Sequence, residues 1–222
     1  MKTFVLAGIT GLLGAFGLFF HNSGSAAVDT KLATNNVPAP EVRFRLDPSQ
    51  STFIAHANRA GLAWFKGHSH RLAIKDFEGE ASLSLDALNP ASLTMTARSA
   101  SIEETDPFFN AGQKKTINKE VNDLVLETAK YPEITFRSTE VKGSMKNGAF
   151  DVDITGDLTL HGMTNRMTIP ATVTVNGDTL RAKGEFRINR KKWGVNATEA
   201  FHGLVKVRHT IIFEFDIIGR RV

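Results

Sequence analysis

Cysteine is absent from all 222 residues of this chain. Its absence excludes disulfide cross-links, thiolate metal sites, a cysteine nucleophile and a lipid-modified N-terminal cysteine. Amphipathic aromatic residues are also scarce, with two Trp and one Tyr beside 16 Phe. The fold must therefore be held together by packing, without covalent cross-links.

An excess of one charge is also missing. The chain has 27 Lys and Arg against 23 Asp and Glu, which gives a formal net charge of +4. A nucleic-acid-binding surface needs many more clustered basic residues, so no nucleic-acid partner is predicted. The densest basic cluster, Arg187 with residues 190–192, is interpreted as a solvated turn. A hydrophobic fraction of 41% is ordinary for a globular protein and excludes disorder along the whole chain.

The first 27 residues have the order of a secretory signal peptide. Lys2 precedes an apolar run from Phe4 to Phe20, and small residues follow at positions 23–27. The run is long for a cleaved signal and slightly short for a membrane span of about 20 residues, so an uncleaved membrane anchor is the alternative. We predict a signal peptide at 1–27, a flexible leader at 28–40 and a folded domain at 41–222.

Apolar and polar residues alternate from residue 41 onward. Near the end of the chain, Ile211, Phe213 and Phe215 alternate with Glu214 and Asp216. This period of two is typical of β-strands with one dry and one solvated face. The alternation predicts about eight to ten antiparallel strands.

Turn residues and one helical segment separate the predicted strands. Asn147-Gly148 and the segment 176–178 are typical hairpin turns, and residues 161–165 fit a wider turn. Between Ile117 and Thr128, apolar positions recur at helical spacing, and Tyr131-Pro132 ends this segment. The sequence therefore predicts an all-β chain with one inserted α-helical segment of about three turns.

Long hairpin-connected strands with one apolar face favour closure into a barrel, because an open sheet would leave unpaired edges. An outer-membrane barrel needs Tyr and Trp girdles, which this chain lacks, so the apolar face is predicted to point inward. A barrel of about eight strands can hold one small ligand or be filled by side chains. The predicted ligand-binding residues of the interior are Phe53, Trp64, Leu72, Ile74, Leu83, Leu93, Met95, Phe136, Val152, Ile154, Leu158, Ile169, Val173, Phe186, Ile188, Ile211 and Phe213.

Four ordered sequence blocks resemble those of the YceI-like family, namely KDFEG at 75–79, YPEITFRS at 131–138, GDLTLHGMTN at 156–165 and GEFRINRKKWGV at 184–195. The resemblance covers roughly residues 42–218. The chain departs from it at 59–61, where Arg-Ala-Gly replaces a His before the glycine, and instead has Gly-His-Ser-His at 67–70, which resembles one subgroup.

The resemblance implies a lipocalin-like antiparallel β-barrel in the bacterial periplasm, whose tunnel holds a long apolar lipid beneath the helical segment. The implied ligands are polyisoprenoids, isoprenoid quinones or fatty-acid-like lipids. The implied function is their sequestration or transport in the cell envelope, without catalysis and with no cofactor other than the bound lipid. Transient membrane contact and a homodimer are both compatible with that function.

Three histidines share the apolar parity of their strands. His68 and His70 align with Leu72 and Ile74, and His209 lies on the apolar parity of the last strand, so all three imidazoles are expected to point inward. One hypothesis makes them hydrogen-bonded core or rim residues. A second makes them head-group ligands for a quinone carbonyl, phosphate or carboxylate.

Two further hypotheses belong to other functional classes. His68, His70 and His209 could supply three ligands of a metal-dependent enzyme or metal-binding protein, since a His-x-His pair on a strand places two nitrogens on one side. The chain could also be a structural or interaction module whose barrel is filled by side chains and holds no ligand.

Overall fold

A computed structural model of the chain describes residues 40–61, 67–84, 90–196 and 206–222. The predicted signal peptide and all but the last residue of the predicted leader lie outside the described residues, and so does Trp64. Within these ranges, no helix is both long enough and apolar enough to span a bilayer.

The described chain is built mainly from long strands. Its elements are β1 Glu41–Ala57, β2 Arg59–Ala60, β3 His70–Ile74, β4 Phe77–Ser84, β5 Ala91–Arg98, β6 Ile102–Glu104, α1 Ala111–Glu120, β7 Glu133–Lys146, β8 Ala149–Leu160, β9 Met163–Asn176, β10 Thr179–Asn189, β11 Lys206–Val207 and β12 Thr210–Arg221. Short 3-10 turns occupy Ser99–Ser101 and Arg190–Trp193, and a π-helical turn at Val121–Val125 continues α1.

Among the described strands, eight form a closed antiparallel ring in the order β1-β4-β5-β7-β8-β9-β10-β12, and β12 pairs back onto β1. The first half of β1 pairs with β4, whereas its second half pairs with β3, which in turn pairs with β6. The predicted antiparallel barrel with one inserted helical segment is confirmed.

The alternating pattern sets which face of each strand points inward. In β8, Val152 and Ile154 are buried while Asp151 and Asp153 are exposed. Because side chains alternate between the two faces of a strand, every second residue reaches the barrel interior. The apolar parity therefore forms the core and the charged parity forms the outer wall, as predicted.

Gly156 in β8 lies opposite an irregularity in β7. The β7–β8 register shifts between Ser138 and Glu140, next to the pairing of Ser138 with Gly156. A Cβ added at Gly156 would lie 2.4 Å from the backbone oxygen of Arg137 and 2.6 Å from Phe136 Cζ. Only glycine lets the Phe136 ring pack this closely over the neighbouring backbone.

Gly156→Ala should lower the free energy of unfolding by about 1–3 kcal/mol, because the new methyl group meets backbone that cannot move aside easily. Gly112→Ala is the matched control in α1, where the added Cβ meets only Asn110 Oδ1 at 3.4 Å. That control should raise stability by up to about 1 kcal/mol through helix propensity. Urea titration measures the free energy of unfolding of both variants. Equal changes in the two would contradict the packing argument.

The helix begins earlier than the apolar spacing predicts. Asn110 Oδ1 accepts a hydrogen bond from the Gln113 backbone N–H (3.0 Å), and Gln113 Oε1 accepts one from the Asn110 N–H (2.9 Å). This reciprocal capping starts the helix at Ala111. The first turn carries too few apolar residues to show a period, so the predicted start near Ile117 is wrong.

The turn predicted at 161–165 is also tighter than expected. Leu160 pairs directly with Met163, which leaves His161 and Gly162 as the two turn residues, with φ angles of 51° and 72°. Two positive φ angles define the turn type that matches the twist of a hairpin. The hairpin turns predicted at Asn147-Gly148 and around Gly177 are confirmed.

Candidate functional site

The barrel encloses a cavity of about 320 Å³. Its wall is made mostly of aliphatic and aromatic side chains from the barrel strands, and Ile117, Val121, Val125 and Leu126 of the helical segment line it as well. The interior is therefore not filled by side chains, contrary to the hypothesis of a solid structural module. A concave apolar space of this size is typical of small-molecule sites.

The predicted interior residues are placed on the cavity wall. Apart from Trp64, which lies outside the described residues, every apolar residue predicted as a ligand-binding residue of the interior lines the cavity. Their contact with a ligand stays a prediction.

Four phenylalanines meet inside the barrel. The Phe186 and Phe213 rings stack with centroids 4.8 Å apart and planes within 3°, and Phe53 lies 5.9 Å from Phe213 and 6.5 Å from Phe215. All four line the cavity. Such aromatic pairs contribute about 0.5–1.5 kcal/mol each beyond the area they bury, so the cluster gives the cavity a rigid wall.

His70 is the one predicted head-group histidine that the described structure places on the cavity wall. Its Nδ1 lies 2.8 Å from Glu104 Oε2, and the Glu104 side chain is completely buried. The His70 ring also stacks on Phe109, with centroids 5.3 Å apart and planes within 7°. A buried carboxylate and an aromatic face therefore fix the orientation of this imidazole.

His68 is not part of the described cavity wall. It is exposed, and its ring stacks on Phe108, whose ring centroid is 4.2 Å away and which is itself 62% exposed. Residues 68 and 69 precede β3, so strand alternation does not yet govern them. The expectation that His68 faces the interior is wrong for this reason.

His209 is also exposed and is not part of the described cavity wall. It precedes β12, which begins at Thr210, so it too lies just outside the alternating strand. Desolvation lowers the pKa of His209, and the nearby cations Lys191, Arg190 and Lys206 lower it further. The expectation of an inward-pointing His209 is therefore wrong.

The part of the chain that the structure describes does not bring together the ligands that the metal hypothesis requires. There, no group of three or more His, Cys, Asp or Glu side chains is placed to hold a metal ion. Of the three histidines that the hypothesis requires, the cavity wall includes His70 and neither His68 nor His209.

Two polar residues near the cavity were missed or misassigned by sequence reasoning. Glu104 follows Ile102 at strand spacing, and that parity with a core residue was the signal that could have revealed it. Arg190 was interpreted as part of a solvated turn, but it is buried and lines the cavity. Its guanidinium donates to the Val195 carbonyl at 2.7 Å, which replaces part of its hydration.

Known sequences resemble this chain over most of its barrel. A family model described as the YceI-like domain matches residues 44–218. The chain belongs to the YceI-like family. Protein YceI of Escherichia coli O17:K52:H18 is 37% identical over 175 residues, which cover 75% of this chain and 74% of that protein. A UPF0312 protein of Enterobacter sp. (strain 638) is 34% identical over 175 residues, covering 75% and 73%.

Solved structures share the YceI-like fold at lower identity. BcnA of Burkholderia cenocepacia superimposes with a TM-score of 0.62 at 22% identity, covering 78% of this chain and 98% of that structure. A polyisoprenoid binding domain from Saccharophagus degradans superimposes with a TM-score of 0.59 at 14% identity, covering 81% and 98%. These superpositions establish the common fold.

Proposed function

We propose that this YceI-like protein binds a long apolar lipid inside its barrel and does not catalyse a reaction. The observation that carries the proposal is the 320 Å³ cavity with its almost wholly apolar wall. The shared fold of a polyisoprenoid binding domain supports it. Polyisoprenoids, isoprenoid quinones and fatty-acid-like lipids all have the extended apolar chain that such a wall accommodates.

The tail supplies most of the binding free energy in this proposal. Each methylene group removed from water contributes about 0.8 kcal/mol, whereas association costs about 4–15 kcal/mol. A hydrogen bond to the head group adds a net of only about 0.5–1.5 kcal/mol. Affinity therefore rises with tail length, and selectivity between tails that differ by one methylene is weak.

The cellular role follows from the predicted export. A signal peptide at 1–27 would deliver the barrel to the periplasm, and an uncleaved segment would hold it at the inner membrane. In either place the protein would sequester a lipid or carry it through the aqueous part of the cell envelope. Loading and release would then involve transient membrane contact, and a homodimer remains compatible with this role.

Lipid extraction tests the proposal directly. The full chain purified from bacterial cells is extracted with organic solvent, and the extract is analysed by mass spectrometry against an extract of buffer from the same column. We expect one class of long-chain lipid at near one molecule per protein. Repeated absence of lipid, together with failure of the stripped protein to take up a fluorescent long-chain probe, would contradict the proposal.

A further inference from the structure

Glu104 is a fully buried carboxylate with a defined role for each oxygen. Its Oε1 accepts hydrogen bonds from the backbone N–H groups of Arg71 (3.2 Å) and Asp106 (2.8 Å). Its Oε2 lies 2.8 Å from His70 Nδ1. The backbone N–H of Glu104 donates a hydrogen bond to Asn118 Oδ1 of α1 at 2.7 Å. The carboxylate is thus held in one orientation from three sides.

This arrangement selects the tautomer of His70. The Glu104 carboxylate accepts from the two backbone N–H groups, and with the carboxylate as acceptor toward His70 as well, the hydrogen between the two groups lies on Nδ1 of the imidazole. A neutral imidazole with its hydrogen on Nδ1 has a free lone pair on Nε2, at the other side of the ring. Among the described residues, Glu104 is the one hydrogen-bonding partner of the His70 imidazole. The His70 side chain is 26% exposed and borders the cavity.

We propose that His70 Nε2 accepts a hydrogen bond from the head group of the bound lipid, and that this head group is a neutral hydroxyl. The preferred ligand is then a long-chain alcohol with its tail along the apolar wall. This inference rests on the proposed function and adds the head-group chemistry. Glu104 acts as a positioning residue through His70.

The charges near His70 disfavour other head groups. Glu104 brings a negative charge next to the ring, and Glu120 of α1 also lines the cavity, so a carboxylate or phosphate at His70 would meet like charge. Arg190 is a cation on the same wall, but its guanidinium already donates to the carbonyl oxygens of residues 195, 207 and 208. A carbonyl needs a donor, which Nε2 does not provide in this tautomer. The polar wall residues Ser82 and Ser92 already bond each other through their hydroxyls at 2.8 Å.

Glu104→Gln should turn His70 Nε2 from an acceptor into a donor of a hydrogen bond. The Arg71 and Asp106 N–H groups still need an acceptor, so the amide carbonyl takes the place of Oε1 and the amide NH2 faces His70 Nδ1. Nδ1 must then accept, and the imidazole hydrogen moves to Nε2. The variant protein would present a donor to the cavity where the native protein presents an acceptor.

The experiment compares three C20 isoprenoid probes with the same tail at pH 8: the alcohol, its methyl ether and a methyl ketone. Displacement of a fluorescent apolar probe from the stripped full chain gives each dissociation constant. In the native protein the alcohol should bind about three- to tenfold more tightly than the ether or ketone, as expected for one net hydrogen bond. In Glu104→Gln the alcohol should lose that advantage, because an Nε2–H donor bonds to the oxygen of the alcohol, the ether or the ketone alike.

Two controls separate positioning from folding. Glu103→Gln changes the exposed neighbour on β6 and should leave all three constants unchanged. His70→Phe should make the alcohol and the ether equal while the ether constant stays within about twofold, because the ether makes no hydrogen bond to Nε2 in the native protein. The ¹⁵N NMR shifts of the His70 imidazole, assigned by their loss in His70→Phe, should report hydrogen on Nδ1 in the native protein and on Nε2 in Glu104→Gln.

The outcomes distinguish this inference from the function on which it rests. Equal binding of all three probes by the native protein would overturn the head-group assignment and leave lipid binding intact. An Nε2–H tautomer in the native protein would overturn it as well, even if Glu104→Gln did not fold. Failure of every probe to displace the fluorescent ligand would overturn both.

Discussion

Phe213→Asp should lower the free energy of unfolding by about 4 kcal/mol or more and abolish lipid binding. The Phe213 ring lines the cavity and stacks on Phe186 at 4.8 Å. Removing a core phenylalanine costs about 3–5 kcal/mol, and the aspartate adds a charge without a partner in an apolar wall. Because domains are stable by only about 5–15 kcal/mol, the melting temperature should fall on the order of 10 °C, or the chain should not fold.

Ile212→Asp is the matched control for this prediction. Ile212 is the preceding residue of β12, is not part of the described cavity wall and pairs with Arg187 of β10. The new carboxylate would lie on the outer face, opposite a cation, where the change in stability should stay within about 1 kcal/mol. Thermal melts followed by circular dichroism compare the two variants. Equal destabilisation would show that the face assignment of β12 is wrong.

Ala182→Phe should weaken lipid binding about 100-fold while the barrel stays folded. Ala182 lines the cavity and pairs with Val173 of β9 and Ile217 of β12. A phenyl ring there would occupy space that the ligand tail needs. Displacing three or four methylene groups forfeits about 3 kcal/mol of transfer free energy, which corresponds to that factor. The existing cavity accommodates the ring, so the cost of overpacking should remain below about 2 kcal/mol.

Thr174→Phe places the same ring on the outside. Thr174 follows Val173 in β9 and pairs with Arg181, and it is not part of the described cavity wall. The dissociation constant of the Thr174→Phe variant for a fluorescent long-chain probe should match that of the native protein within about twofold. If Ala182→Phe bound the probe as tightly as Thr174→Phe, the cavity would not be the binding site.

The strand interior could be predicted because one physical rule governs it. Alternation fixes which side chains of a long strand face the core, so residues such as Val152 in β8 and Phe186 in β10 are placed correctly from parity alone. The rule stops where the strand stops. His68 and His209 each precede the first regular residue of a strand, and both are exposed despite their apparent parity.

The polar part of the site depends on contacts between distant segments. Glu104 meets His70 because β3 and β6 pair, with Leu72 opposite Glu104, and a three-residue strand leaves almost no periodic trace. Arg190 has the local sequence of a surface turn, yet backbone carbonyls from residues 195 and 207 satisfy its guanidinium. A sequence pattern cannot show such partners, since they come from tertiary packing.

The pairing of β1 with β12 constrains the order of folding. Phe44 lies opposite Arg221 and His56 opposite Ile212, so the earliest strand of the ring hydrogen-bonds with the last. β12 is synthesised after every other strand of the ring, and until it is available both β1 and β10 have an unsatisfied edge. Such long-range pairing makes ring closure slow. Premature termination before residue 210 would therefore yield a product with two open edges, prone to associate edge to edge with other chains.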